Sequence, residues 1–390
     1  MLTRLSSRIR ANWVKTEQGI QTLTWDRIRR IKRLKALTLV STVVLPALFL
    51  KPHTTGIPVA YGALNPLTLP YQFTGNGHQV KSDSSGLTLT VASFNGGLLK
   101  FGPFQMVPCV DARLKAQIDY IFVNDRLGLG MADQGKAAPF VLLLQEIWTP
   151  EAFEAYRFHS RNLGLTIIPS DYAQVADTGM VTISNMRSHG FELLPFAEDD
   201  PGAKRGILQS VFRLNQTLIS VANIHTSYHE KLGANPVQFA QIKGFMEELT
   251  PGAYHIVGGD FNIGPEILNL PVSEGGSTAA LAKPFWSEFI ASASQRSWER
   301  VSLEQSTWDQ KNPIASEPAF FVRLMSLMLD MGDWSGSEIL DHIFVSGNFR
   351  ISAKEISFNE KVFLDECEHS DPEGRAYLSD HYGVKAILEL

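Results

Sequence analysis

The sequence predicts a chain in which short apolar β-strands pack face to face as a sheet sandwich. From residue 87 onward, LTLTVASFNGG alternates between apolar and polar residues, which is typical of a strand. FVLLLQEIW is apolar almost throughout, as expected of a strand buried on both faces. The 390 residues are 44% hydrophobic and 19% charged, which is sufficient for a large core. Residues 87–390 contain no internal repeat, and we predict that they form one domain.

Residues 1–86 differ from this domain in charge and in hydropathy. Residues 1–35 are a basic segment, with ten Lys and Arg against two acidic residues. Residues 36–50 are uncharged but fall short of the roughly 20 residues that span a bilayer as a helix. A basic flank beside an apolar run predicts membrane attachment, whether the run spans the bilayer, lies in the interface or is cleaved as a signal. Residues 51–86 are predicted to be an extended arm and linker, with an arm buried against the domain as the alternative.

The charge of the chain narrows its partners and its orientation. The net charge is −5, but the basic segment contributes +8 and leaves −13 for the remainder. Such an acidic body repels polyanions, so long nucleic acid is disfavoured as a substrate. If residues 36–50 span a membrane, the basic flank stays in the cytoplasm and the domain lies on the non-cytoplasmic side. A cytoplasmic domain on a surface anchor is the alternative.

The chain has two cysteines, Cys109 and Cys367, which exclude a disulfide framework and a cysteine-based zinc module. Two free thiols are the simpler prediction, and one disulfide is the alternative. The cysteine count therefore leaves the redox compartment open.

Polar side chains recur where the predicted strands begin or end. Residues two apart in an extended chain point the same way, so Asp260 and Asn262 should share one side while Phe261 points into the packing. A turn or a solvated strand end explains any one of these residues, but six such ends in one domain predict a concave site at one rim of the sandwich. The candidates are Asn95, Gln145, Glu146, Asn223, His225, Asp260, Asn262, Asp341, Asp380 and His381.

These residue types indicate one kind of chemistry. The sequence has no G-x-S-x-G elbow, P-loop, Rossmann glycine pattern or H-E-x-x-H motif. Carboxylate and amide oxygens are the hard ligands that suit Mg²⁺. His381 stands beside Asp380, and Asp341 is available to orient its ring, as a general base requires. The set predicts metal-assisted hydrolysis of a phosphoester.

The motifs SFNGG, LLQEIW, NIHTSYH, GGDFNI, LDHIFVS and LSDHYGV, in this order over residues 91–385, resemble the endonuclease/exonuclease/phosphatase superfamily. STWDQKNP, residues 306–313, and QEIW before a helical stretch resemble its neutral sphingomyelinase branch. One departure is His342, where an aromatic residue commonly follows the acid. The resemblance implies an α/β fold, with two mixed β-sheets flanked by helices in a deoxyribonuclease-like four-layer sandwich, and a membrane-associated N-terminal extension.

The resemblance also implies roles for the residues at matching positions. Glu146 would be the principal Mg²⁺ ligand, with Asn95 beside it and Asp380 near the metal; Mn²⁺ or Co²⁺ could substitute for Mg²⁺. Four substrate-binding residues are also predicted from the resembling stretches: Asn223, Lys204, Trp308 and Asp309.

For the catalytic step, the resemblance implies that His381 is the general base and that Asp341 orients its imidazole. His225 and Asn262 would hydrogen-bond the non-bridging phosphoryl oxygens. Asp260 would hold the attacking water or the neighbouring amides. No covalent intermediate is implied.

The predicted activity is hydrolysis of sphingomyelin, or a related phospholipid, to ceramide and phosphocholine, with the membrane surface as partner. A metal-dependent nuclease, a phosphoinositide phosphatase and a membrane-tethered binding protein with an inactive site are the alternatives. The apolar segment 318–336 is predicted to contact lipid, with an ordinary core helix as the alternative. Its predicted membrane-contact residues are Phe320, Phe321, Met325 and Trp334.

Overall fold

The computed structural model describes residues 87–390 except for 102–103, 131–137, 175, 177, 198–203, 228–233, 266–275, 302, 317–336 and 366. The predicted basic, apolar and linker segments, and the four predicted membrane-contact residues, lie outside the described residues. Their boundaries and roles stay predictions.

The strands, in chain order, are β1 (Thr88–Leu98), β2 (Lys100–Phe101), β3 (Phe104–Gln105), β4 (Phe140–Ile147), β5 (Thr166–Ile168), β6 (Val181–Ser184), β7 (Arg187–Pro195), β8 (Gly206–Leu214), β9 (Thr217–His225), β10 (Tyr254–Asp260), β11 (Glu299–Arg300), β12 (Trp308–Asp309), β13 (Ser337–Glu338), β14 (Asp341–Ser346), β15 (Arg350–Ser357), β16 (Lys361–Phe363), β17 (Arg375–Tyr377) and β18 (Gly383–Glu389). The helices are α1 (Val110–Ile118), α2 (Pro150–Asn162), α3 (Ala234–Glu248), α4 (Gly276–Gln295) and the short α5 (Pro313–Ser316). None of these helices combines the length and the hydropathy needed to cross a membrane.

Twelve of these strands form two six-stranded mixed sheets. The first sheet has the order β15-β18-β1-β4-β6-β5, and the second has the order β11-β14-β10-β9-β8-β7. Each sheet has a parallel pair at its centre, β1 with β4 in the first and β9 with β10 in the second. The outer neighbours of these pairs run antiparallel to them, as β18 does beside β1 and β14 beside β10. The predicted two-sheet mixed sandwich is confirmed.

Side chains alternate between two environments along each central strand, as the pleat requires. In β1, Leu89 and Val91 pack between the sheets, whereas Ala92 and Phe94 face the core beneath α1 and α2. The same alternation runs through β4, β9, β10 and β14, whose inward residues complete the core between the sheets. Burying each such aliphatic side chain contributes about 1.5–3 kcal/mol to folding. The apolar runs in the sequence therefore produce a four-layer molecule.

Helices α3 and α4 cover the outer face of the second sheet. Phe239 of α3 and Trp286 and Phe289 of α4 pack against Phe261 and Phe344 in one aromatic cluster. Phe261 is fully buried there, as its alternation with Asp260 and Asn262 predicts. This packing fixes the direction in which the chain leaves β10.

Cys109 and Cys367 form a disulfide that joins the start of α1 to the segment between β16 and β17, with their Cα atoms 5.4 Å apart. The prediction of two free thiols is therefore wrong, and the alternative of one disulfide holds. The two cysteines are 258 residues apart in the chain, and only folding brings them together. A disulfide is typical of proteins in oxidising compartments.

Candidate active site

The candidate site lies in the cleft between the two sheets, at one rim. Asn95 continues the inward-facing positions of β1, and His225 continues those of β9. Asp260 does the same in β10, and Asp341 stands at the start of β14, which runs the opposite way and therefore begins at the same rim. Side-chain alternation and strand direction together gather the predicted residues.

The register of the second sheet places three of these residues side by side. Asp260 pairs with His225 of β9 on one side and with Asp341 of β14 on the other. Gly259, just before it, has a φ of 147°, and a Cβ there would lie 1.9 Å from the carbonyl oxygen of Ile224. Only glycine allows the two parallel strands to approach this closely.

Asp260 is buried at the centre of a hydrogen-bond network. Asn95 Nδ2 donates to Asp260 Oδ2 at 2.9 Å, and the backbone N–H of Asn262 donates to Asp260 Oδ1 at 2.8 Å. Asn262 Nδ2 donates to Asp260 Oδ2 at 3.1 Å and to the carbonyl of Thr226 at 2.8 Å. Burial raises the pKa of Asp260 to about 7. These hydrogen bonds connect the ends of β1, β9 and β10 at the bottom of the cleft.

His381 and Asp341 form the geometry of an oriented base. His381 Nδ1 lies 2.9 Å from Asp341 Oδ2, and both side chains are buried. We place the proton on Nδ1, which donates to the carboxylate and leaves Nε2 as the basic nitrogen. Burial alone would lower the pKa of His381, but the charges of Asp341, Asp260 and Asp380 raise it well above its usual range. A cation held beside these carboxylates would offset their charge and favour the neutral ring that a base requires.

His225 is fully buried beside two of the carboxylates of the rim, those of Asp260 and Glu146. Its Nε2 lies 3.6 Å from Asp260 Oδ2 and 3.7 Å from Glu146 Oε1. Arg205 Nη1 contacts both nitrogens of the imidazole, Nδ1 at 2.6 Å and Nε2, and the guanidinium lies over the ring of Trp148, 5.6 Å from its centroid. Burial and the charge of Arg205 hold the pKa of His225 well below its usual range. His225 is therefore a neutral hydrogen-bonding group.

Arg205 is a site residue that the sequence analysis missed by one position. The predicted residue was Lys204, which is half-buried and lies two residues before β8. Arg205 precedes Gly206, and Gly206 pairs with His225 in the register of β8 and β9. A prediction of that pairing would have selected Arg205.

Glu146 closes β4 with an unusual backbone, at a φ of 60°. Simple alternation would direct its side chain to the helix-covered face, since Leu142 and Leu144 point there. A positive φ is strained for a residue with a Cβ and re-aims the side chain at the end of the strand. Burial and the charge of Asp380 raise the pKa of Glu146, and Asn95 hydrogen-bonds it. Glu146 thus joins Asn95 and Asp380 at the rim.

The oxygens of Glu146, Asn95 and Asp380 suit a divalent metal, because hard cations bind carboxylate and amide oxygens. The raised pKa of Glu146 reflects two carboxylates brought together in a buried place, which a bound cation would offset. Among the described residues, the Asp and His atoms close enough to share a metal belong to Asp260, Asp341 and His381. His381 Nδ1 and Asp341 Oδ2 lie within hydrogen-bond distance of each other, so we favour the Glu146 set for the metal.

Three predicted substrate-binding residues have contacts with the core or with the segments beside His381. Asn223 is fully buried between the sheets, where Nδ2 donates to the carbonyls of Leu144 and Val181 at 3.0 Å each. Trp308 is buried against Ala315 and Leu340, and its backbone bridges to His381. Asp309 accepts hydrogen bonds from the Lys311 N–H and the Ser337 hydroxyl. These contacts support positioning of the core and of the His381 segment rather than contact with substrate.

Comparison with known proteins identifies the family. Residues 131–381 match the model of the Endonuclease/Exonuclease/phosphatase family, which is more than half of the chain. The chain therefore belongs to this family of phosphoesterases, whose members use divalent metals. No curated protein sequence matches the chain.

Solved structures with the same fold include TDP2 from Caenorhabditis elegans, at 15% identity and a TM-score of 0.53, covering 79% of this chain and 76% of that one. SmcL is similar at 14% identity and a TM-score of 0.52, with 78% and 99% covered. Sphingomyelinase C from Streptomyces griseocarneus has 16% identity and a TM-score of 0.48, with 77% and 98% covered. At these identities, the likeness to the first two of these structures establishes the fold.

Proposed function

We propose that this protein is a Mg²⁺-dependent phosphodiesterase that hydrolyses sphingomyelin, or a related phospholipid, to ceramide and phosphocholine. The observation that carries the hydrolytic part is the His381–Asp341 pair, which shares one buried rim with Asp260, His225 and Glu146. An oriented base, hydrogen-bond donors and carboxylate oxygens in one cleft are the groups that phosphodiester hydrolysis requires.

In the proposed reaction, His381 Nε2 takes a proton from the attacking water while Asp341 holds the ring through Nδ1. The imidazole of His225 provides a hydrogen bond to the phosphoryl oxygens. Asn262 Nδ2, whose two hydrogens go to Asp260 Oδ2 and to the carbonyl of Thr226, orients the Asp260 carboxylate. Arg205, which contacts the imidazole of His225, adds a positive charge near the same oxygens. Glu146, Asn95 and Asp380 would hold Mg²⁺, which when bound neutralises charge on the phosphoryl oxygens and the leaving group.

The choice of a phospholipid rests on the sequence. The body outside residues 1–35 carries a net charge of −13, which disfavours a long polyanion. The basic and apolar front end favours a membrane surface, and the STWDQKNP stretch resembles the sphingomyelinase branch. We also propose that the catalytic domain lies on the non-cytoplasmic side, which agrees with the disulfide.

The test offers sphingomyelin, phosphatidylcholine and plasmid DNA side by side to the purified full chain in detergent, with Mg²⁺ and then with a chelator. We expect phosphocholine release from sphingomyelin that the chelator stops. DNA nicking without lipid turnover would overturn the substrate and keep the hydrolytic site. Ligand binding without turnover of any substrate would favour the inactive binding protein.

The predicted lipid contact is tested separately. Phe321→Ser with Met325→Ser should reduce turnover of sphingomyelin in vesicles and spare a soluble short-chain analogue, because only vesicles require insertion at the headgroup boundary. Exposed Phe158→Ser on α2 is the matched control. Equal loss on both substrates would assign the segment to the core.

A further inference from the structure

Helix α1 carries two polar side chains, Arg113 and Gln117, that are fully buried. They are four residues apart and therefore lie on one face of the helix. A buried arginine is costly unless its donors are satisfied. Neither residue belongs to the motifs of the sequence analysis.

Both side chains donate to main-chain carbonyls of the same two segments. Arg113 Nη1 donates to Gly96 at 3.0 Å and to Leu378 at 3.2 Å, while Nη2 donates to Gly97 at 2.6 Å. Gln117 Nε2 donates to Gly96 and to Leu378, at 2.8 Å each. The hydroxyl of Tyr156 in α2 donates to Gln117 Oε1 at 2.8 Å and fixes the amide.

These carbonyls flank the predicted metal ligands. Gly96 and Gly97 follow Asn95 at the end of β1, and Leu378 lies two residues before Asp380. The segments touch at Gly97, where a Cβ would lie 2.6 Å from Asp380 Oδ1 and 3.1 Å from Arg113 Nη1. The distance between Asn95 and Asp380 therefore depends on the hydrogen bonds that Arg113 and Gln117 of α1 donate to the two segments.

The disulfide joins α1 to the chain segment that leads to Leu378 and Asp380. Cys109 is the residue before α1 and lies four residues before Arg113. Its partner Cys367 leads into β17, which ends at Tyr377, immediately before Leu378. A single covalent bond thus joins the helix to the chain segment that it holds.

We propose that Arg113 and Gln117 are positioning residues that hold the Asn95 and Asp380 segments at the spacing needed for a divalent metal, and that the Cys109–Cys367 disulfide keeps α1 in place to do so. The proposal rests on the proposed function through its metal requirement and is independent of the substrate. It assigns the disulfide a role in metal affinity.

The test measures Mn²⁺ binding to the full chain by the electron paramagnetic resonance of free Mn²⁺, without substrate. Gln117→Glu keeps the shape but removes the donor, and Arg113→Lys cannot reach three carbonyls. Each variant should weaken Mn²⁺ binding about 10- to 100-fold, as loss of groups supporting metal ligands does. Gln209→Glu is the control, because Gln209 is buried in β8 and donates to Ser220 Oγ at 3.0 Å, away from these segments.

The denaturant concentration at the midpoint of unfolding, measured for each variant, distinguishes a role in positioning the metal ligands from a general loss of stability. Gln117→Glu should weaken Mn²⁺ binding far more than Gln209→Glu at a comparable loss of midpoint. Tyr156→Phe, which frees only the Gln117 amide, should give a smaller effect in the same direction. Wild-type Mn²⁺ affinity in folded Gln117→Glu would overturn the proposal.

The disulfide gives a second arm. Cys109→Ser, Cys367→Ser and the double variant should weaken Mn²⁺ binding equally, and dithiothreitol should bring the wild type to the same level while leaving the variants unchanged. If all three variants bind Mn²⁺ as tightly as the oxidised wild type does, the disulfide has no role in metal affinity. A wild type that binds Mn²⁺ but cleaves no lipid would defeat the substrate proposal alone, whereas one that binds no Mn²⁺ would defeat this inference too.

Discussion

At the residue scale, the proposed catalysis depends on the hydrogen bond between His381 and Asp341. The bond places the proton on Nδ1 and supplies the negative charge that favours protonation of the ring after proton transfer. Asp341 has one further oxygen, Oδ1, without a hydrogen-bond partner among the described residues, so its orientation depends on this bond and on packing.

Asp341→Asn should therefore lower kcat on a soluble phosphodiester by about 10²- to 10⁴-fold with little change in KM. The amide cannot supply the charge, and it can donate to Nδ1 and stabilise the wrong tautomer. Steady-state kinetics at saturating Mg²⁺ check this. A wild-type kcat in a correctly folded Asp341→Asn protein would show that Asp341 does not support His381 as the base.

His342 gives a prediction about stability against pH. It is buried against Trp286 and Phe261, and its Nε2 lies 2.9 Å from the carbonyl of Ile263. Burial lowers the pKa of His342 to about 3. The unfolded chain takes up a proton below about pH 6.5 while the folded chain does not, so stability falls as pH drops from there.

As the pH falls below about 6.5, the free energy of unfolding should decrease by up to about 1.4 kcal/mol per pH unit. His342→Gln keeps a donor for Ile263 and should flatten this part of the curve of unfolding free energy against pH. Equal slopes for His342→Gln and the wild type would show that His342 is not the group responsible.

Side-chain alternation made most of the site predictable from sequence. Asp260 and Asn262 were correctly placed on one side and Phe261 on the other, because the period of a strand fixes direction. Glu146 points to the rim only through its positive φ, which no local pattern reveals. Arg205 required the register between two strands, and Arg113 required knowledge of which carbonyls meet behind the rim.

At the scale of elements, the contact between β9 and β10 decides whether the rim can form. Gly259→Ala should lower the free energy of unfolding by more than about 3 kcal/mol, because the new Cβ would meet the Ile224 carbonyl at 1.9 Å. Gly244→Ala in α3 meets nothing within 4 Å and should raise it by about 0.5–1 kcal/mol. Chemical denaturation of both variants measures the change in the free energy of unfolding. A similar change in the two variants would contradict this account.

Several elements could be read from the sequence because their apolar runs are bounded by polar ends, as in β4 and β10. The pairing of the cysteines could not, since 258 residues separate them and their meeting depends on the order of strands in the first sheet. Trp308 was expected at the substrate, but its bridge to His381 places it as support for the segment that carries the base.

At the scale of the whole molecule, the two sheets must keep a fixed distance for the cleft to retain its shape. Asn223 crosses from β9 to the first sheet, donating to two of its carbonyls and accepting from Gln145 Nε2 at 2.7 Å. The sandwich was predictable from alternation and from the family resemblance. This cross-link was not, because its partners are main-chain atoms of another sheet.

Asn223→Ala should lower the free energy of unfolding by at least about 2 kcal/mol, since it leaves buried groups of both sheets unpaired. KM for a soluble diester should stay near the wild-type value if the residue is structural. A raised KM without loss of stability would instead restore the substrate-binding role predicted from the resemblance.

The most direct test of the central claim is hydrolysis of bis(p-nitrophenyl) phosphate by the full chain during a Mg²⁺ titration, for the wild type, Glu146→Gln and His381→Ala. We predict Mg²⁺-dependent turnover in the wild type and a large rise in the Mg²⁺ requirement for Glu146→Gln. His381→Ala should lose about 10²- to 10⁴-fold in kcat at saturating Mg²⁺. Wild-type turnover in both variants, or turnover that persists with a chelator, would contradict the account.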